Sequence, residues 1–129
     1  MFNVPKIDKR LKNKQEILAI RLPEETDENI AISSKFLKKN SIYKGEINSK
    51  DYTVFTDKTG AHRVYFTKTI DFIIYDKEKL VRDTNGNSWT INENFIENII
   101  TKQKLERLHS FNAFWFGYQA AFPDVKLIK

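Results

Sequence analysis

The chain has 129 residues, of which 40% are hydrophobic and 30% are charged, and its formal net charge is +5. This length suits one domain with a substantial core, and no apolar run reaches the roughly 18–20 residues that a membrane-spanning helix needs. Because the sequence contains no cysteine, disulfides, thiolate catalysis and cysteine-ligated metals are excluded.

The first 15 residues, MFNVPKIDKRLKNKQ, form a basic segment with no clear periodicity. We interpret residues 1–15 as a solvated arm that can face an anionic partner, and residues 16–129 as a single domain. The arm lacks the apolar stretch of a secretory signal. The chain as written is therefore expected in the cytoplasm, or in the cell envelope if an export segment has been removed.

Two elements are predicted directly after the arm. EILAIRL, residues 16–22, is almost continuously apolar and predicts a strand that is buried on both faces. After the acidic turn PEETDEN, the segment IAISSKFLKKN places Ile32, Phe36 and Leu37 at helical spacing and ends in lysines. This pattern predicts a short helix with a basic C-terminus.

From there to about residue 90 the pattern is typical of β-structure. DYTVFTD and AHRVYFT flank the turn DKTG and predict a hairpin, and TIDFIIYD, KLVRD and NGNSWTIN predict further strands. Asn85-Gly86 favours a type I′ hairpin turn, and the Asp-x-x-Gly form of the segment 83–86 repeats that of 57–60. Residues 94–108 fit either a strand or a short helical face.

The segment SFNAFWFGYQAAFPD, residues 110–124, contains six aromatic side chains. Ser110 can cap a helix and Pro123 can end it, so we predict a helix from Phe111 to Phe122. On a helical wheel, one face collects Phe111, Phe114, Trp115, Tyr118 and Phe122. We expect this face to be buried against the sheet, with a ligand-stacking platform and an exposed partner-binding face as alternatives. The predicted fold class is α+β: mostly antiparallel sheet, a short helix in the N-terminal half, and a buried aromatic C-terminal helix.

Two motifs, DTNGNSW (83–89) and LERLHSFNAFWFGYQAAFPDVKL (105–127), resemble the C-terminal part of a bacterial family of unknown function, domain family 3179. Members tend to show an Asp-x-x-Thr-Gly-Ser-x-Trp element, to which Gly86 and Trp89 correspond. They then show a Phe-Trp-Phe-(Ala/Gly)-Trp-x-x-Phe-x-Pro element near the end, in which Tyr118 stands where Trp is frequent. The lead-in DKRLKNKQEILAI also resembles that of the family.

The chain departs from the family in the first motif, where Asn85 and Asn87 stand at the usual Thr and Ser, and Asp83 lies one residue closer to the glycine. Many members carry a Cys-Pro motif in the middle of the chain, and this sequence has neither residue there. Relatives often carry export signals or lipoprotein anchors, which would make this a domain of an envelope protein. The resemblance implies no activity, because the family is uncharacterised.

The sequence shows no strong catalytic pattern. Its two histidines lie in different segments without metal-ligand spacing, so no metal site and no cofactor are predicted, although His62, His109 and Asp83 are a conceivable ligand set. There is no GxSxG, P-loop or GxGxxG motif. Ser110 beside His109 is better explained as a helix cap than as a nucleophile, and His62 is expected to face solvent in its hairpin.

A nucleic-acid surface would need basic and aromatic side chains on one exposed strand face. Strand alternation places Arg63 and Tyr65 on one face of AHRVYFT, and His62 and Lys68 on the other. This partial pattern supports nucleic-acid binding through Arg63, Tyr65 and Lys68 only as an alternative.

The function that we predict is a noncatalytic binding or interaction module with a protein or small-molecule partner. Its ligand site is predicted where the two motifs meet, at Asp83, Trp89, His109, Trp115 and Tyr118. Buried Trp and Tyr side chains need hydrogen-bond partners, which Asp83 and His109 can provide. The first alternative is a small-ligand or metal-binding enzyme with its site near Asp83 and His109.

Overall fold

The computed structural model describes residues 14–21, 29–47, 49–122 and 125–129. In these ranges the chain forms twelve strands and two short helices, and most strand pairs are antiparallel. The predicted class, a mostly antiparallel α+β fold, is therefore confirmed in its broad form. Most of the predicted basic arm and of the acidic turn, and Pro123, lie outside the described residues.

The strands in chain order are β1 (Glu16–Arg21), β2 (Ile30–Ser33), β3 (Ile42–Ile47), β4 (Lys50–Thr56), β5 (His62–Phe66), β6 (Phe72–Tyr75), β7 (Leu80–Asp83), β8 (Ser88–Ile91), β9 (Phe95–Asn98), β10 (Lys104–Glu106), β11 (His109–Phe114) and β12 (Lys126–Ile128). The helices are α1 (Ser34–Lys39) and α2 (Trp115–Ala121).

The first sheet has the strand order β11-β1-β2-β12, and only the pairing of β12 with β2 is parallel. Strand β1 is buried on both faces, as its unbroken apolar run predicts. Leu18 and Ile20 pack into one core cluster, while Ile17 and Ala19 pack into another. Strand β1, one of the two central strands of this sheet, therefore connects two parts of the core.

The second sheet, β3-β4-β5, contains the predicted hairpin of DYTVFTD and AHRVYFT. Tyr52 and Val54 face the cluster that contains Leu18 and Ile20, and Phe55 faces a third cluster, which follows the alternation of side chains along a strand. The third sheet is a meander with the order β10-β9-β8-β7-β6. It resolves the ambiguity of residues 94–108 in favour of strands.

The two Asp-x-x-Gly turns have the same construction. In each, the glycine N–H donates to the carbonyl oxygen of the aspartate, at 3.0 Å for Asp57 and 3.1 Å for Asp83. Gly60 and Gly86 have positive φ, whereas Asn85 does not. The predicted type I′ turn at Asn85-Gly86 is therefore wrong; its place is taken by a turn whose single left-handed residue is glycine.

Helix α1 is shorter than predicted. Residues Ile30–Ser33 form strand β2, because they pair with β1 on one side and β12 on the other. The helix begins only at Ser34, where the side chain of Ser33 accepts a hydrogen bond from the Phe36 N–H at 3.3 Å. Ile32 therefore lies in a strand, while Leu37 is the fully buried residue of the helix.

The predicted helix from Phe111 to Phe122 is wrong over its first part. His109–Phe114 is strand β11, which pairs with β1 along its whole length, so Ser110 lies opposite Ile20 and caps no helix. Helix α2 begins at Trp115, and Phe114 before it is 59% exposed. The pairing with β1 supplies interstrand hydrogen bonds that the helical periodicity does not reveal.

Candidate functional site

The structure brings Asp83 and Trp89 into direct contact. The Trp89 Nε1–H donates to Asp83 Oδ2 at 2.9 Å, and both side chains are almost completely buried. Asp83 Oδ1 accepts from the backbone N–H groups of Asn85 and Asn87, each at 2.9 Å. Burial raises the pKa of Asp83, but these hydrogen bonds outweigh it and hold the pKa below its usual value. The carboxylate thus ties the turn to the indole, as expected for a buried Trp partner.

The other predicted ligand residues lie elsewhere. Trp115 and Tyr118 pack with Ile17 and Val125 against the first sheet, in a different core cluster from Trp89. His109 is exposed and lies opposite Arg21 in the β11–β1 ladder. The five residues are thus placed as two separate pairs and one surface histidine.

The residues of the nucleic-acid alternative are also separated in environment. Tyr65 is fully buried, and its hydroxyl donates to the carbonyl oxygen of Asn92 at 2.7 Å. Arg63 forms an ion pair with Asp57 at 3.1 Å, and Lys68 is exposed with a φ of 54°. Of the three, Lys68 is the side chain that stands in solvent.

His62 lies at the centre of a hydroxyl–imidazole cluster that the sequence did not indicate. Its Nε2 is 2.7 Å from Ser34 Oγ and its Nδ1 is 2.8 Å from Thr56 Oγ1. The expectation that His62 faces solvent is wrong: the ring is half-buried, and Ser34 and Thr56 are 6% and 3% exposed.

Three elements build this cluster. Thr56 ends β4 and His62 begins β5, and the two are directly opposite in the hairpin register because the Asp57 turn joins the strands at that point. Ser34 is the first residue of α1, which follows β2. The cross-strand contact could be predicted from the hairpin, but the contact with Ser34 joins residues that are 28 positions apart.

The environment of His62 favours the neutral ring. Burial is the main cause that lowers its pKa, and the positive charge of Lys38 lowers it further, while Asp57 and Glu16 act in the opposite direction. A neutral imidazole has one N–H donor and one acceptor nitrogen. It can therefore donate to one of the two hydroxyls and accept from the other.

Two open clefts meet at Lys38. The first, which we call the hairpin cleft, has a volume of about 340 Å³ and a polar lining that includes Lys38, Ser41, Thr56, Asp57, Lys58 and Lys77. The second, the helix cleft, has a volume of about 310 Å³ and is lined by Lys14, Gln15, Glu16, Ser34, Lys35 and Lys38. Thr56 lines the hairpin cleft and Ser34 lines the helix cleft. The hydrogen-bonded residues Ser34, His62 and Thr56 therefore lie between these two clefts, which we call together the Lys38 clefts.

The charges of the Lys38 clefts are unequally compensated. Lys58 is paired with Glu78, and Asp57 is held by Arg63 and by the N–H groups of Thr59 and Ala61. The ion pairs found among the described residues do not include the other lysines of the clefts, Lys14, Lys35, Lys38 and Lys77. Positive charge therefore exceeds negative charge where the clefts meet.

A family model described as "Protein of unknown function (DUF3179)" matches residues 1–125 of the chain. The chain belongs to the DUF3179 family. No curated protein and no solved structure matches it. The match covers nearly the whole sequence and confirms the resemblance that the motifs of residues 83–89 and 105–127 indicate.

Membership of DUF3179 identifies the kind of domain without giving an activity. Within the described ranges, no three His, Asp or Glu side chains come together as metal ligands would. The same part of the chain contains no helix that could span a membrane. Among the described residues of this DUF3179 domain, the Lys38 clefts lie next to the hydrogen-bonded His62 cluster, and together they combine surface access with several polar side chains.

Proposed function

We propose that this DUF3179 domain is a binding module that holds a small anionic molecule, bearing a phosphate or carboxylate group, in the Lys38 clefts. The observation that carries the proposal is the meeting of two open clefts at one lysine, with further lysines and hydroxyl groups around it. Ammonium and hydroxyl groups are the donors that such oxyanions accept from.

The position of Lys38 supports this function. A Cβ atom at Gly60 would lie 3.1 Å from Lys38 Cε, so the aliphatic part of the lysine rests on the glycine of the hairpin turn. This contact lays the aliphatic part of the exposed Lys38 side chain along the turn, while the residue lines both clefts.

The proposal keeps the binding-module interpretation, because holding an anion requires no covalent bond to form or break. It moves the site from the predicted residues to the Lys38 clefts. The enzyme alternative near Asp83 and His109 receives less support, since these residues lie in different surroundings and both oxygens of Asp83 accept hydrogen bonds within the fold. The nucleic-acid alternative is weakened by the full burial of Tyr65.

The test compares two lysines of the same helix. Lys38→Gln and Lys39→Gln make the same change in net charge, but Lys39 lines neither of the Lys38 clefts. Binding of inorganic phosphate and of citrate is measured by chemical-shift titration at constant ionic strength. We expect Lys38→Gln to weaken binding by roughly fivefold or more, and Lys39→Gln to change it by less than about twofold.

An equal effect of both substitutions would mean that only net charge attracts the anion, and the proposal would then be wrong. Absence of saturable binding to the wild-type protein would overturn it as well. Shifts that saturate and concentrate on residues around Lys38 and Gly60 are the expected result.

A further inference from the structure

The Ser34–His62 contact has the geometry of a nucleophile beside a base. The distance of 2.7 Å between Ser34 Oγ and His62 Nε2 lies within the range over which an imidazole takes a hydroxyl proton. Ser34 is only 6% exposed, yet it lines the open helix cleft. Its hydroxyl is therefore held in place by the fold, and the residue borders a cleft that opens to the surface.

Thr56 supplies the third group of the arrangement. When Nδ1–H of His62 donates to Thr56 Oγ1 across 2.8 Å, the lone pair of Nε2 faces the hydroxyl of Ser34. An orienting group on the far side of the base is the general feature of activated hydroxyl nucleophiles. Here the orienting group is a hydroxyl in place of the usual carboxylate.

We propose that Ser34 is a nucleophile, with His62 as its general base, for acyl transfer from an ester that enters the helix cleft. Ser34 Oγ attacks the carbonyl carbon while its proton passes to Nε2. The imidazolium then gives this proton to the departing alcohol oxygen, which leaves an ester on Ser34 and a free alcohol. Water, deprotonated by the same ring, cleaves that ester, and the products are the acid and the restored serine.

The surroundings suit this chemistry in two respects. Burial and the charge of Lys38 favour the neutral ring, which is the form that acts as a base. Lys35 and Lys38 line the same cleft as Ser34, and their charges favour the negative charge that develops on the attacked carbonyl group. The inference goes beyond anion binding, which uses the ammonium and hydroxyl groups of the clefts as hydrogen-bond donors and requires no reaction of Ser34 with His62.

The experiment uses neutral probes, so that its outcome does not depend on the anion-binding proposal. The folded 129-residue chain is treated with a fluorophosphonate, and the modified residue is located by peptide mass spectrometry; p-nitrophenyl acetate gives the rate of acyl transfer. We expect a single modification, at Ser34. Because the site is mapped in the wild-type protein, this result does not require that any variant fold.

The variants then separate a reacting serine from a structural one. His62→Gln, which lacks the base but keeps polar groups, should slow labelling by about 100-fold or more. The control is Ser110→Ala, which removes the serine next to the other histidine and should label at the wild-type rate. Wild-type labelling should rise with pH as His62 loses its proton, and this dependence should disappear in His62→Gln.

Three results would overturn the proposal: no modification of the folded protein, modification mapped to another residue, or an unchanged rate in His62→Gln that folds as judged by circular dichroism. A failure of this kind leaves the phosphate and citrate titrations unaffected. Conversely, a labelled Ser34 in a protein that binds no anion would support acyl transfer alone.

Discussion

Asp83 occupies a position in which one carboxylate serves both a backbone turn and a buried indole. Its two oxygens accept three hydrogen bonds, and the side chain is 2% exposed. Asp57 makes the same contacts with its own turn, but its remaining oxygen binds the partly exposed Arg63 in place of a buried group. The two residues therefore share the same backbone contacts, while Asp57 also accepts a hydrogen bond from the Thr59 hydroxyl and pairs with a charged, partly exposed group.

We expect Asp83→Ala to lower the free energy of unfolding by about 2–4 kcal/mol, since the buried Trp89 Nε1–H would lose its acceptor. Asp57→Ala should have a smaller effect, of about 1 kcal/mol, because water can replace the lost partner of Arg63. Urea denaturation followed by tryptophan fluorescence measures both changes. Equal losses for the two substitutions would show that the turn, and not the indole contact, carries the stability.

The pH dependence of stability follows from the same contacts. For Asp57, burial raises the pKa, but hydrogen bonds from Thr59, Ala61 and Arg63 outweigh it and lower the pKa to about 2; the pKa of Asp83 is lowered as well. Because the unfolded chain binds these protons more readily, stability is present above pH 4 and is lost as the pH falls toward 2. In Asp83→Asn the free energy of unfolding should fall less steeply as the pH decreases. Urea midpoints measured between pH 2 and 5 test this. If the midpoints of the variant depended on pH as steeply as those of the wild type, Asp83 would not contribute to the acid sensitivity.

Gly45 and Gly117 give a contrast in packing. A Cβ at Gly45 would lie 2.5 Å from the hydroxyl oxygen of the buried Tyr52, whereas a Cβ at Gly117 of helix α2 would have no atom within 4 Å. Gly45→Ala should therefore destabilise the fold by about 1–3 kcal/mol. Gly117→Ala should stabilise it by about 0.5–1 kcal/mol, as alanine does within a helix. Thermal unfolding measures both changes. We expect the melting temperature to fall for Gly45→Ala and to rise for Gly117→Ala.

At the level of the elements, the sequence predicts best where one pattern has one interpretation. The alternation in DYTVFTD and AHRVYFT predicts the β4–β5 hairpin, and the apolar run of β1 predicts a strand buried on both faces; the structure has both. The segment 109–122 is different, since its aromatic residues fit a helical face while its first part pairs with β1. The local pattern of apolar residues contains no information about a partner strand that lies about 90 residues earlier in the chain.

The boundary between β11 and α2 can be tested at two adjacent residues. If a helix began at Phe111, Phe114 and Trp115 would both lie on its buried face; in the structure Phe114 is 59% exposed and Trp115 is fully buried. Phe114→Ser should therefore change the free energy of unfolding by less than about 0.5 kcal/mol, and Trp115→Ala should lower it by about 3–5 kcal/mol. Similar losses at the two positions, measured by urea denaturation, would favour the longer helix.

The candidate site shows the same limit of sequence reasoning. The pairing of Asp83 with Trp89 follows from neighbours in a single hairpin, and that contact is present. The His62 cluster needs the docking of α1 against the β4–β5 hairpin, and nothing in the sequence near Ser34 indicates a distant histidine. A hydroxyl at the start of a helix has an obvious local use, which conceals its tertiary contact.

On the scale of the whole molecule, the Lys38 clefts lie where four separate parts of the fold meet. Lys14 and Glu16 come from the start of β1 and the residues just before it, Lys38 comes from α1, Thr56 from the end of β4, and Lys77 from the turn between β6 and β7. Residues distant in sequence thus share one electrostatic environment, with His62 between the clefts. The positive charge of Lys38 lowers the pKa of His62, so we expect an anion bound at Lys38 to affect the charge state of the ring.

This coupling gives a prediction that joins structure and proposed function. Burial remains the main cause of the lowered pKa of His62, and the charge of Lys38 is the second; Lys38→Gln, or an anion bound at Lys38, should raise that pKa. Linkage then requires that phosphate bind more tightly to the protein with a protonated His62 ring. As the pH falls from 8 to 5, phosphate loses negative charge, which weakens its binding, and protonation of His62 should offset part or all of that loss. The His62 ring resonances in NMR titrations with and without phosphate report this shift, and Lys39→Gln is the control. If neither phosphate nor Lys38→Gln changed the pKa of His62, the charge at Lys38 would not act on the imidazole, and the coupling between the clefts and the ring would be wrong.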